Sequence, residues 1–221
     1  KRQLYQYNYS QNNTFATLMV CNYFAINTTF RYNIAVGDNG AIDLPTTYST
    51  AHIYNNTFIL RKGVKVLTDR TNGPGLMENN IFASVDENNG SLSNAITKNA
   101  QWNRNNRQVY KNNLYINYES TPRSDTKALK ADDILKVFKS NVIGIKDFNK
   151  NGKIYSRQGD NNAFANYLLA KGSPAINSGT VIHDLNGFNF EHDFFGSKIV
   201  SNPDIGCAES DVKAISIKNI D

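Results

Sequence analysis

Charged side chains, cysteine and long apolar runs are scarce in this sequence of 221 residues. Because charged residues make up 19% and hydrophobic residues 40%, disorder of the highly charged type is excluded. Two cysteines cannot build the disulfide framework of a small secreted domain, and no Cys-x-x-Cys pair indicates a zinc site. The 14 glycines and 5 prolines exclude a collagen-like chain. No apolar run approaches the ~20 residues of a membrane-spanning helix.

Asparagine and aromatic residues are abundant instead. The chain contains 33 asparagines, 12 tyrosines and 12 phenylalanines, so its polarity comes from amides and hydroxyls more than from charge. The length suits one domain or two small ones. The formal net charge is +5, but the basic residues are dispersed and form no stripe interleaved with aromatic residues. We therefore predict no nucleic-acid partner.

A short phrase of tyrosine or asparagine, then asparagine, then an apolar or hydroxyl residue recurs along the first half of the chain. The asparagines at its fixed position are Asn8, Asn33, Asn56, Asn80 and Asn113. They are spaced by 25, 23, 24 and 33 residues, and such a period indicates a repeat protein. The longer last interval predicts an insertion within residues 86–106.

Within each repeat the pattern has a period of two, as in His52-Ile53-Tyr54, which is typical of short strands. Repeats of this length have no room for the two amphipathic helices of a helical solenoid. The sequence therefore predicts an all-β coil of short parallel strands over residues 1–118 and a less regular region over residues 119–221. Helix is favoured only at residues 130–139 and 161–169.

The repeated asparagines have two interpretations. Asparagine tolerates the left-handed backbone of a sharp turn, and its amide can bond the amides of neighbouring coils. The first interpretation is an inward ladder of hydrogen-bonded amides, and the second is ordinary turn residues without a ladder. Both interpretations imply a coil.

Three phrases resemble a known group of proteins. These are IYNNTF at residues 53–58, GSPAINSG at 172–179 and NPDIGCAE at 202–209. They are similar to segments of right-handed parallel β-helix proteins of the pectin-lyase-like superfamily, in which the latter two belong to a C-terminal cap. The resemblance implies a bacterial extracellular or cell-surface protein that acts on polysaccharides as a lyase or glycoside hydrolase, or that binds glycans without chemistry. It implies fold more firmly than function.

Two expectations follow from this resemblance. Because enzymes of the superfamily usually have more coils, we expect upstream coils or another chain to lie against the first coil. Cys21 and Cys207 would lie at least three coils apart, about 14 Å at the spacing of β-strands, which exceeds the ~7 Å limit between Cα atoms for a disulfide. We predict two free and mostly buried thiols.

One segment resembles the first half of a calcium-binding loop. Asp147, Asn149 and Asn151 alternate before Gly152, which places oxygen ligands ahead of a sharp turn. Gln158 stands where the bidentate glutamate of such a loop is expected, which weakens the prediction. A plain hairpin turn is the competing interpretation, and calcium is the one cofactor that the sequence indicates.

Candidate catalytic residues follow the repeated asparagines. Glycoside hydrolysis needs two carboxyl groups roughly 5–9.5 Å apart, and Asp38, Asp43 and Asp69 are the acids of adjacent repeats. A lyase needs a base and a cation beside the substrate carboxylate, for which Lys65 and Arg70 are candidates. The competing interpretation of Asp43 is an ion pair with Lys65.

Trp102 and Arg104 lie in the predicted insertion, away from the periodic positions. An exposed Trp102 next to Arg104 would stack on a sugar ring, whereas a buried Trp102 would pin the inserted loop to the coil. The sequence thus predicts an oligo- or polysaccharide partner on an outward face walled by residues 86–106. Glycan cleavage is the first functional interpretation, a non-catalytic glycan-binding or adhesin module is the second, and a structural spacer is the third.

Overall fold

The computed structural model describes residues 2–19, 27–44, 50–68, 71–88, 91–103, 105–141 and 164–210. Over these ranges the chain is all-β, with fourteen strands and two short 3₁₀ helices, at Ile134–Lys136 and Ala165–Tyr167. The strands in chain order are β1 (Arg2–Gln6), β2 (Tyr9–Gln11), β3 (Leu18–Met19), β4 (Asn27–Arg31), β5 (Ile34–Val36), β6 (Ile42–Asp43), β7 (Ala51–Tyr54), β8 (Thr57–Arg61), β9 (Gly75–Glu78), β10 (Ile81–Asn88), β11 (Ser91–Asn94), β12 (Gln108–Lys111), β13 (Leu114–Ile116) and β14 (Leu129–Ala131).

Strands one repeat apart in sequence are neighbours in space, and they pair in parallel. The first sheet has the order β1-β4-β7-β9-β12, and the second has the order β2-β5-β8-β10-β13-β14. A third, two-stranded sheet joins β3 to β6. The chain thus passes from one sheet to another within each repeat and returns to the first sheet in the next repeat. This is the parallel all-β organisation that the period predicts.

An aromatic stack fills the space inside the sheets. The β8–β10 and β10–β13 registers place Phe58 beside Phe82, and Phe82 beside Tyr115. The ring centroids are 5.2 Å and 5.7 Å apart, and the two rings of each pair are nearly parallel. Phe30 extends the stack at 6.2 Å from Phe58. Offset stacking of this kind adds to the free energy gained by burying the rings.

The second sheet is buried on both faces. Its inner face carries the aromatic stack, and its outer face carries aliphatic residues such as Ile34, Ile59 and Ile81, which cluster with residues of the C-terminal region, 164–210. Strands covered on both sides read as continuous apolar runs, as in Thr57-Phe58-Ile59-Leu60. The C-terminal region therefore covers the side of the sheet, and Phe164 reaches back to Tyr9 at 5.2 Å.

The predicted asparagine ladder is confirmed. Each ladder side chain donates from Nδ2 to Oδ1 of the next at 2.9–3.1 Å, through all four successive pairs of the five asparagines. Each Oδ1 of the last four also accepts the backbone N–H of the preceding ladder residue. The left-handed backbone belongs to the residue before each ladder asparagine, for example Tyr32 with φ 50° and Asn79 with φ 51°.

A carboxylate ends the ladder. Asp125 lies in the segment between β13 and β14, and its Oδ2 accepts Nδ2 of Asn113 at 2.9 Å and the hydroxyl of Tyr115 at 2.8 Å. Its two oxygens also accept the backbone N–H groups of Asn112 and Asn113. Because an ionised carboxylate only accepts hydrogen bonds, it satisfies the last amide without needing another acceptor beyond it.

The structure refines three details of the sequence analysis. Strand β14 continues the second sheet beyond residue 118, the predicted end of the coil. The segments expected to be helical contain one short 3₁₀ turn each, and the predicted insertion includes the end of β10 and all of β11, which pair antiparallel. Cys207 is free and buried, as predicted, and Cys21 lies outside the described residues.

Candidate functional site

Several predicted site residues lie outside the described part of the chain. They are Asp69, Arg70, Arg104, Asp147, Asn149 and Asn151. The catalytic roles of the first two, the sugar contact of Arg104 and the calcium loop therefore stay predictions. Within the described ranges, no group of three or more His, Cys, Asp or Glu side chains is placed to hold a metal ion.

Asp38 and Asp43 are fully buried, which corrects the expectation that they lie on an outward face. Asp38 accepts hydrogen bonds from the backbone N–H of Asn13 at 2.8 Å and from Oγ1 of Thr17 at 2.6 Å. These donors belong to the preceding repeat, so Asp38 joins two turns of the chain. Asp43 is in the short strand β6, and Lys65 is half-buried.

Trp102 is only 8% exposed, so the structure does not place its ring where it could stack on a sugar. Its ring packs edge-on against Tyr115 at 5.0 Å and Tyr118 at 4.9 Å, and its Nε1 donates to the carbonyl of Ser120 at 3.1 Å. An indole buried among rings with its N–H satisfied is a structural anchor. Trp102 thus pins the insertion to the coil, which is the alternative that the sequence left open.

A large open groove lies at the carboxyl ends of β8, β13 and β14. Its volume is about 1170 Å³. One wall is formed by residues 94–99 of the predicted insertion, and the other by residues that follow the strands. Its lining residues are Lys62, Gly63, Asn94, Ile96, Thr97, Lys98, Asn99, Asn117, Tyr118, Glu119, Lys130, Ala131 and Asp132. Residues of the insertion therefore wall a groove, but none of the described catalytic candidates predicted from the sequence lines it.

Hydrogen bonds hold the groove in shape. Nδ2 of Asn117 donates to Oδ1 of Asn94 at 2.9 Å, and the same oxygen accepts the backbone N–H of Ile134 at 2.8 Å. Oγ1 of Thr97 accepts the backbone N–H of Gly63 at 2.8 Å. The backbone N–H of Glu119 donates to the carbonyl of Thr97 at 3.1 Å. The two walls are thus tied together, and a ligand would meet a preformed surface.

The groove contains two carboxyl groups and three ammonium groups. The carboxyls belong to Glu119 and Asp132, and the ammonium groups to Lys62, Lys98 and Lys130. Nζ of Lys136 donates to Oδ1 of Asp132 at 2.8 Å, and this hydrogen bond holds the pKa of Asp132 below its ordinary value. The Asp132 side chain is 82% exposed, so its carboxylate is open to solvent and to a ligand in the groove.

The lining suits a ligand that offers hydroxyl groups and apolar patches. Amides, ammonium groups and carboxyls provide hydrogen-bond partners of both kinds. Ile96 is 58% exposed, and Tyr118 presents the edge of a buried ring. Sequence reasoning missed Glu119 and Asp132 because they follow the last repeated phrase. The one available signal was that acidic and basic residues are interspersed over residues 119–132.

A smaller pocket of about 470 Å³ lies at the end of β8 and β10. It is lined by Arg61, Asp86, Glu87 and Asn88, and Nη2 of Arg61 is 3.2 Å from Oε2 of Glu87. This pair is exposed, so it contributes little to stability.

Over the described ranges, the structure contains no helix with the length and apolar character needed to cross a membrane.

Comparison with known proteins gives one informative relative. The chain is 43% identical over 218 residues to a lacto-N-biosidase of Bifidobacterium longum subsp. longum, and the match covers 97% of this chain. The chain spans only 13% of the length of that relative. No family model matches the sequence.

Proposed function

We propose that this chain is part of a bacterial carbohydrate-active protein that hydrolyses glycosidic bonds. The observation that carries the proposal is the 43% identity to a lacto-N-biosidase over almost the whole chain. The groove is compatible with it, because a preformed, open surface lined by amides, carboxyls and ammonium groups suits a hydroxyl-rich ligand. Residues elsewhere in a longer protein would complete the substrate site.

The fold that we propose is a right-handed parallel β-helix. Successive repeats pair in parallel in two sheets, and parallel crossover connections are almost always right-handed. The asparagine ladder and the stack of Phe58, Phe82 and Tyr115 are what such a coil produces when equivalent residues align. β1 is the terminal strand of the first sheet, so its outer edge could pair in parallel with a further coil or with another chain. An extracellular or cell-surface location is consistent with the resemblance to β-helix proteins of the pectin-lyase-like superfamily.

We assign the two carboxyl groups of the groove to hydrolysis. Asp132, which accepts a hydrogen bond from Lys136, would stabilise the positive charge of the oxocarbenium-like transition state or attack the sugar. Glu119 would donate the proton to the leaving oxygen. Nζ of Lys130 donates to the backbone carbonyl of Glu119 at 3.0 Å, which joins these two lining residues.

The test uses the full-length parent protein with the variants Glu119→Gln and Asp132→Asn. We expect each to lower kcat/KM on a panel of oligosaccharides by about 10²-fold or more, because each removes one proton-transfer or charge-stabilising group. Glu87→Gln is the matched control, since it changes an exposed acid of the smaller pocket and should retain full activity. Melting curves exclude a general loss of folding.

A glycan-binding module is the second candidate function, and the ammonium groups and Ile96 of the groove favour it over a plain spacer. On a glycan array, a binding module retains the same ligands in the wild type and in the Glu119→Gln variant. If the parent hydrolyses glycans and both groove variants keep full activity, the catalytic centre lies outside this groove. If the parent shows neither turnover nor binding, the proposal is wrong.

A further inference from the structure

The sequence contains five Asn-Gly pairs, the dipeptide in which asparagine most readily loses its side-chain amide. In this reaction the backbone nitrogen of the glycine attacks Cγ of the asparagine, and no Cβ on the glycine hinders the approach. Three pairs lie in the described ranges, at residues 39–40, 72–73 and 186–187. The pairs at residues 89–90 and 151–152 lie outside them. Hydrogen bonds of the glycine nitrogen and of the asparagine side chain distinguish the three described pairs.

Two of these pairs are held against the attack. The backbone N–H of Gly73 donates to the carbonyl of Leu44, and that of Gly187 donates to a carbonyl of its own turn at 3.0 Å. Asn186 is also buried, and its Nδ2 donates to Oγ1 of Thr29 at 3.0 Å. Because each glycine nitrogen would have to give up a hydrogen bond before it attacks, we expect both pairs to react slowly.

The pair Asn39-Gly40, in the turn between β5 and β6, differs in both respects. Asn39 is exposed, and the backbone N–H of Gly40 makes no hydrogen bond with any described residue. Nδ2 of Asn39 donates to the carbonyl of Thr14 at 3.2 Å, which uses one of its two amide hydrogens. Gly40 itself is buried, so the fold should slow the reaction here, but less than at the other two pairs.

We propose that Asn39 is a site of spontaneous deamidation in the folded protein. The nitrogen of Gly40 gives its proton to a base and bonds to Cγ of Asn39. The bond between Cγ and Nδ2 breaks, and Nδ2 takes up a proton and leaves as ammonia. Water then opens the resulting succinimide ring at either carbonyl, which yields aspartate or isoaspartate. The reaction needs only water and base, and it accelerates as the pH rises because the attacking nitrogen must be deprotonated.

The product alters the contact between the first two repeats. The backbone N–H of Asn39 donates to the carbonyl of Asn13 at 3.0 Å, and the carbonyl of Gly40 accepts the N–H of Thr17 at 3.1 Å. Isoaspartate adds a methylene to the main chain between these two hydrogen bonds, which changes their spacing. A carboxylate at position 39 also has no hydrogen to donate to the carbonyl of Thr14. Deamidation should therefore weaken this turn, while the asparagine ladder still joins the two repeats.

Peptide mapping by mass spectrometry on the whole chain tests this inference. Folded protein and protein unfolded in guanidinium chloride are incubated in parallel at about pH 8.5. In the unfolded chain, Asn39, Asn72 and Asn186 should gain about 1 Da at similar rates, since they share the same chemistry. In the folded protein, Asn39 should react about ten-fold faster than the other two, or more, because only its glycine nitrogen has no hydrogen bond to break.

Two results would overturn the inference. The first is equal rates at the three asparagines in the folded protein, or the same ratio of rates in the folded and unfolded chains. The second is aspartate without isoaspartate at position 39, because direct hydrolysis of the side chain gives aspartate alone, whereas a succinimide opens to both products.

Asn39→Gln is the decisive variant, because glutamine keeps the amide but cannot close the same five-membered ring with the nitrogen of Gly40. The peptide that contains residue 39 should then show no mass gain, and a gain at the wild-type rate would contradict the mechanism. Asn27→Gln is the matched control. It changes an exposed asparagine that threonine follows, so it should leave the deamidation of Asn39 unchanged.

Discussion

The repeats and the C-terminal region satisfy their buried polar groups in different ways. In the repeats, neutral asparagines bond to equivalent asparagines one repeat away, as Asn56 bonds to Asn80. In the C-terminal region, buried carboxylates accept backbone N–H groups of neighbouring loops. Asp193 accepts those of Ser197 and Glu209, and Asp204 accepts those of Asn177 and Ser210.

The difference follows from what each group can do. An amide both donates and accepts, so it can be repeated without limit along a coil, whereas a carboxylate only accepts and ends a series. Asp125 ends the series, since it receives the last ladder amide. An irregular region has no equivalent residue one turn away, and a carboxylate can collect several N–H groups at once.

The largest expected effect is in the middle of the ladder. Asn56→Leu removes the hydrogen bonds that Nδ2 makes to the carbonyls of Phe30 and Tyr54 and leaves the backbone N–H of Asn33 without its acceptor. We expect the free energy of unfolding to fall by about 3 kcal/mol, measured by urea denaturation. Asn27→Leu, at an exposed position at the start of β4, should change it by less than about 0.5 kcal/mol. An equal effect of both variants would contradict the ladder.

Substitution of Asp125, which ends the ladder, should lower the free energy of unfolding nearly as much. Asp125→Asn keeps the size of the side chain but turns one acceptor oxygen into a donor that faces N–H or O–H groups. We expect a loss of about 2 kcal/mol in urea denaturation. Tolerance of the substitution would mean that an amide can end the series as well as a carboxylate can.

The third prediction concerns pH, because the carboxylates of the C-terminal region titrate whereas the amides of the ladder do not. Burial outweighs the backbone hydrogen bonds and raises the pKa of Asp193 to about 6. Because this folded-state value is above that of the unfolded chain, its stabilising contribution is complete below about pH 4 and is lost as the pH rises through 6. The free energy of unfolding of the wild type should therefore fall by about 1–2 kcal/mol relative to Asp193→Asn between pH 4 and 7.

Parallel denaturation curves of the two proteins at four pH values measure this difference directly. Asn56→Leu serves as the comparison, because its destabilisation should be the same at each pH. If the free energies of unfolding of the wild type and Asp193→Asn differ by the same amount at all four pH values, Asp193 does not make the stability of the C-terminal region pH-dependent.

The smallest effect is expected at the first ladder residue. Asn8 is exposed, and its Nδ2 and backbone N–H share the single oxygen Oδ1 of Asn33. Water can replace part of what is lost, so Asn8→Leu should lower the free energy of unfolding by about 0.5–1 kcal/mol in the same assay. A loss as large as that of Asn56→Leu would show that position in the ladder does not matter.

Spacing alone predicted the ladder, because a period near 24 residues brings Asn33, Asn56 and Asn80 to equivalent positions. It could not predict the burial of Asp38, since this residue lies between strands, where a period of two does not apply. Trp102 was ambiguous for the same reason. Nor could spacing reveal the contact of His52 with Leu185, which joins residues 133 positions apart that share no pattern. The resemblance and the relative, rather than periodicity, direct attention to glycans.

The ladder has one further consequence, which concerns its direction. Every side-chain amide points its N–H groups toward the next asparagine, so the five amide dipoles are aligned, and their positive ends face Asp125. Aligned dipoles add, as peptide dipoles do along an α-helix. The row of asparagines thus acts as an electrostatic counterpart to a helix N-terminus and lowers the energy of a negative charge buried at its far end. The direction of the row therefore sets what each end requires: an acceptor such as a carboxylate at the Asn113 end, and a donor at the Asn8 end.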